Sequence, residues 1–173
     1  RIYNISKNKE MAAVQVVEHE VEFTIEAMDE AIQVKLAQEV YDTVGTKPKR
    51  HFGETITKVE DQIQHILTMQ NIEPTAQNIK AAKALVENSI DITAQKVEDV
   101  KIVMAKIETV LYELRPAMVA QLLKEGVQPD TLHIDHLLGC IHYLKEESGQ
   151  DPMQNIAEAI LELDNMNQLS IEE

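Results

Sequence analysis

If this chain performs chemistry, the segment TLHIDHLLGCIHYL is where to look, because His133, His136, Cys140 and His142 lie close together there. On a helix, steps of three and four place His133, His136 and Cys140 on one face, a spacing at which two imidazoles and a thiolate can share a zinc ion. His142 points elsewhere. A fourth ligand would have to be Asp130, a distant His or a water. The simpler reading, which we prefer, sets the histidines on the exposed shoulder of an apolar stripe and uses Cys140 as a small buried filler.

Other reactive patterns are missing. His19, His51 and His65 are scattered singly, and a lone His is more often a surface or satisfied residue than a base. Carboxylates abound, yet no paired Glu-x-x-His occurs of the type that holds di-iron in helical bundles. There is no G-x-S-x-G, no Cys beside an evident base and no phosphate loop, and five glycines in all leave little material for one. The expectation is a protein that is not an enzyme and carries no cofactor.

Charge narrows the partners. Against 16 Lys and Arg stand 30 Asp and Glu, a formal charge of -14 that repels phosphate backbones and anionic lipid. Nucleic acid and membrane are therefore not expected, and a protein partner is. The basic KPKR run is read as a solvated hinge. No apolar run approaches the ~18 residues needed to span a bilayer. A single cysteine fits a reducing compartment, which points to the cytoplasm. The chain begins at Arg1, as a processed or cut protein would.

The elements that must position these residues are helical. Aromatics make up only 3% of the chain, there is no Trp, and Gly and Pro number five each, a poor supply for sheet turns. From Glu10 to Tyr41, apolar residues from Val14 to Val40 recur every three or four positions and predict one long helix. A competing strand-like alternation runs from Glu20 to Glu26, with no second strand to pair with it. Gly45 to Glu54 reads as a linker, and Thr55 to Gln70 as a helix with Val59, Ile63, Ile66 and Leu67 on one face.

Beyond it the chain becomes punctuated. NIEPTAQNIKAAK (71–83) and SIDITAQKVEDVK (89–101) align at an offset of 18 residues. Thr75 and Thr93 are placed as N-caps, with Pro74 and Ile79, and Ile92 and Val97, as hydrophobic staples. GVQPDTLHIDHLL (126–138) repeats the arrangement, with Asp130 as cap and Pro129 and Ile134 as staple. Asn71, Asn88 and Gly126 are the types that tolerate the left-handed end of a preceding helix. Asp151–Pro152 is a further helix start, and Ser170 with Glu173 opens a capping box that meets the end of the chain. Val97, Val100, Met104, Ile107, Leu111 and Leu114 form the strongest apolar seam. Pro116 ends or kinks that helix. Ile134, Leu137, Leu138, Ile141 and Leu144 line the last one.

The stretch from NIEPTAQNIKAAKALVENSIDIT through LRPAMVAQLLKEGVQPDTLHIDHLLGCI resembles an uncharacterised bacterial family of long, acidic helical-repeat proteins, a domain of unknown function met among flagellum-associated genes. The resemblance covers roughly residues 55 to 173. It implies short helical units that continue past NQLSIEE, and it supplies no catalytic residue, cofactor or partner.

The expected architecture is all-α, with roughly seven helices in an irregular multi-helix bundle or short helical-repeat array. Residues 1–54 would form a long helix and linker, and 55–173 a helical-repeat domain truncated at its C-terminus. The expected function is a non-catalytic protein-interaction or scaffold module of a larger bacterial protein. Two alternatives are a metal-binding domain using His133, His136 and Cys140, and a coiled-coil assembly domain built on the 97–114 seam or the first helix.

Overall fold

A computed structural model describes residues 1–45 and 53–148. Eight helices pack into a bundle, with no strand among the described residues: α1 (Ile2–Lys7), α2 (Lys9–Val17), α3 (Ile25–Gly45), α4 (Gly53–Met69), α5 (Ala76–Glu87), α6 (Ala94–Glu113), α7 (Pro116–Lys124) and α8 (Ile134–Glu147). The all-α expectation holds. The middle of the linker, the start at Asp151–Pro152 and the capping box at Ser170 lie outside the described residues.

The joints between helices follow one local rule. Four helices, α2, α4, α5 and α7, close with a paired C-terminal hydrogen bond that requires a left-handed residue: His19, Asn71, Ser89 and Gly126, with φ of 57°, 57°, 59° and 77°. In each, the following N–H reaches back to a carbonyl in the last turn: Glu20 to Gln15 at 3.0 Å, and Ile72 to Leu67, Ile90 to Leu85 and Val127 to Leu122 at 2.9 Å. Asn88, expected to be left-handed, stands one residue early at φ -98°. Its amide instead donates to the Ala84 carbonyl at 2.8 Å, and Lys35 of α3 donates to its Oδ1.

Three helix starts share a threonine cap. The Oγ1 atoms of Thr75 and Thr93 accept from Asn78 and Lys96 N–H at 3.2 Å, as their positions predict. Thr24 does the same for Ala27, also at 3.2 Å, which breaks the single long helix expected over 10–41. The break runs from Glu18 to Thr24. Phe23 and Met28, in the staple positions around that cap, are both buried.

Helix α6, twenty residues and about 30 Å long, is the axis of the bundle. Helices α2, α5 and α8 all pack on it. Its buried stripe is Val97, Val100, Met104, Ile107 and Val110, so Val110 takes the place expected of Leu111. Ala12, Ala13 and Val14 of α2 share one core with this stripe, with Ala81, Ala82 and Leu85 of α5, and with Ile134, Leu137 and Ile141 of α8. The small alanines let α2 and α5 approach closely. Helix α2, which precedes residue 54, thus packs against α6, which follows it.

Candidate functional site

Of the four joints that carry a left-handed residue, the two longer ones meet beside α6. Between the left-handed residue and the next N-cap, the α4–α5 and α5–α6 joints run from Asn71 to Thr75 and from Ser89 to Thr93. The α2–α3 joint runs from His19 to Thr24, and the α7–α8 joint from Gly126 to His133. Two backbone hydrogen bonds tie these longer connections together: Ile134 N–H to the Phe23 carbonyl at 2.8 Å, and Glu26 N–H to the Asp130 carbonyl at 2.9 Å. Arg1 reinforces the pair, its guanidinium reaching Glu26 at 2.8 Å and Asp130 at 2.9 Å.

An open cleft of about 830 Å³ lies between these joints and α6. Val16, Val17, Val21, Phe23, Ile102 and Val103 supply its apolar surface, and Glu20, Glu22, Asp99 and Asp135 its carboxylates, with His19, His133, Thr24 and Thr131 completing the lining. Among the described residues no Lys or Arg lines it. Glu20 and Glu22 are exposed while Phe23 and Thr24 are buried, in a joint that bends, the Thr24 N–H closing back on the Glu22 carbonyl at 2.8 Å.

Several of the polar groups already have work. The His133 Nδ1 accepts from Asp135 N–H at 3.3 Å and so caps α8, and its ring meets Phe23 edge-on at 5.7 Å. Thr24 caps α3. Asp135 pairs with Lys106 of α6 at 2.6 Å, and Asp99 accepts from Gln95 at 2.8 Å. Glu20 and Glu22 form no side-chain hydrogen bond or ion pair among the described residues.

Residues 2–173 match the Family of unknown function (DUF6240). The chain belongs to that family. No curated protein and no solved structure matches it.

In this DUF6240 chain the sequence-predicted metal residues are only partly gathered. His133 is the N-cap of α8, so it stands off the helical face that its spacing implied. Its ring lies 5.9 Å from that of His136, centroid to centroid, while Cys140 is a half-buried free thiol. Among the described residues no group of three or more His, Cys, Asp or Glu is arranged to hold a metal ion. His142 pairs with Glu146 at 3.3 Å.

The cap expected at Asp130 is a correction with a clear cause. Asp130 is used elsewhere, its carbonyl on Glu26 and its carboxylate on Arg1, with Pro129 buried beside it. The helix starts three residues later. The cleft itself escaped sequence reasoning, although the Phe23–Thr24 and Met28 spacing could have revealed the break that forms its wall. Among the described residues no helix is long and apolar enough to cross a membrane.

Proposed function

We propose that this chain is a non-catalytic interaction module that receives a segment of another protein in the cleft beside α6. The observation that carries the reading is Ile102, which sits 46% exposed on the central helix in an open cleft lined by both apolar and acidic side chains. Covering Ile102 with an apolar side chain of a partner removes hydrocarbon from water. The reactive side chains nearest to it serve as caps and ion pairs: His133 and Thr24 hold helix starts, and Asp135 holds Lys106. The 97–114 seam is consumed by packing within the chain, which favours docking at the cleft over assembly through that seam. The recurring joints support a helical-repeat character, and the scaffold role in a larger bacterial protein rests on the same ground.

A photo-crosslinking residue placed at Ile102, compared with one at exposed Tyr143 outside the cleft, tests the reading in extracts of the native cells. A discrete protein adduct at position 102, without its counterpart at 143, is the expected result. Equal labelling at both positions, or none at 102, would reject it.

A further inference from the structure

The geometry points to a basic, amphipathic segment of a partner protein as the occupant of the cleft, an inference that rests on the docking reading above. An apolar floor alone would accept any greasy segment. Here Val17, Phe23 and Ile102 are bordered by four carboxylates, and among the described residues no Lys or Arg lines the site. Asp135 is balanced by Lys106, and Asp99 is held by a neutral amide. Among the described residues Glu20 and Glu22 are without a side-chain partner, and both are exposed.

The C-cap from which Glu20 emerges adds a second observation. At the three other joints of this kind, the pair of positions that normally touch across the cap is apolar: Leu67 with Ile72, Leu85 with Ile90, and Leu122 with Val127. At the cleft the same two positions are Gln15 and Glu20. Gln15 is only 9% exposed, and its Oε1 is buried with no donor, an uncommon and costly state for a carbonyl oxygen. Of the two, only Glu20 lines the cleft, and it offers a carboxylate where the other joints have hydrocarbon. Lys or Arg heads on a segment whose apolar face covers Ile102 satisfy that arrangement, and charge of opposite sign also speeds encounter.

The experiment uses the intact 173-residue chain and three fluorescent helical peptides of equal length, built from Leu with Lys, with Gln or with Glu. Anisotropy should show binding of the Leu/Lys peptide, weaker binding of Leu/Gln and none of Leu/Glu. The double variant Glu20→Gln, Glu22→Gln should weaken the Leu/Lys peptide about tenfold, since two exposed ion pairs are removed. A control double variant, Asp61→Asn with Glu87→Gln, removes the same charge from exposed positions outside the cleft and should leave affinity within about twofold. Circular dichroism confirms that both variants are folded.

Equal weakening by the two double variants would mean attraction to the overall negative charge and would overturn the inference. So would tight binding of Leu/Gln that Ile102→Lys abolishes and the Glu20, Glu22 variant leaves unchanged, although the docking reading would survive. Failure of all three peptides, together with no adduct at Ile102, would sink both. Dimerisation that hides Ile102 from every peptide would assign the cleft to a second copy and overturn the basic-segment proposal.

Discussion

Ser89 carries a φ of 59°, a conformation in which an L side chain crowds its own carbonyl and glycine does not. Replacing Ser89 by Gly should therefore raise stability by about 0.5 kcal/mol, the relief of strain being partly offset by the freer unfolded chain. Gly126, at φ 77°, gives the converse: an added Cβ meets nothing within 4 Å, so Gly126→Ala should cost about 1 kcal/mol from the backbone alone. Urea denaturation of both variants measures this directly, and opposite signs are the expected outcome. The N-caps belong to the same scale. Thr93→Ala removes the acceptor for Lys96 N–H at 3.2 Å and should cost about 1 kcal/mol. Thr93 and Gly126 are legible in the sequence because caps are local, a hydroxyl three residues before its donor needing no tertiary partner, whereas Asn88 is the residue the sequence points to in place of Ser89.

Helix α6 shows how differently two residues of one element behave. Ile107 is fully buried at the centre of the bundle, while Ile102 faces the cleft. Ile107→Ala should cost about 2–5 kcal/mol through the lost contacts and the cavity left behind, and Ile102→Ala about 0.5 kcal/mol or less. Thermal melts of the two variants should separate clearly, and equal losses would mean that Ile102 is packed. Apolar spacing located α6 and α8 correctly. It misread 10–41 as one helix because Val14, Val17, Val21 and Ile25 keep helical steps across the break while the chain turns through His19. At the other joints an apolar pair across the C-cap marks the stop. Gln15 and Glu20 carry no such mark, and the signal that remained was the Phe23 and Met28 staple around Thr24.

Across the whole molecule, ion pairs join helices that are distant in sequence, and in the pair between Glu10 of α2 and Lys80 of α5, at 2.8 Å, the titration of both partners is perturbed. Partial burial works against the Glu10 charge, yet the hydrogen bond and charge of Lys80 prevail and hold its carboxyl below the ordinary 4.5. The Glu10 hydrogen bond likewise lifts Lys80 above 10.5, against a smaller opposing effect of burial. Glu10 thus contributes stability at pH above 4.5 that is lost as pH falls through its lowered value, and Lys80 contributes stability below 10.5 that is lost as pH rises through its raised one. Both side chains are substantially exposed, so the pair is worth less than about 1 kcal/mol. Glu10→Gln should lower the urea midpoint slightly at neutral pH, and the difference from the unaltered chain should vanish on acidification. A difference that persists unchanged at low pH would exclude the pair as its source.

Composition and periodic apolar residues settled by themselves that this chain is helical, where most helices start and which faces are greasy, since helix propensity, capping and amphipathicity act within a few residues. The joining of 18–24 to 127–135, the burial of α2 against α6 and the cleft between them were decided only by the tertiary structure. They depend on hydrogen bonds such as Ile134 N–H to the Phe23 carbonyl, formed between residues more than a hundred positions apart. No local pattern encodes such a meeting, because either partner alone could satisfy its backbone with water.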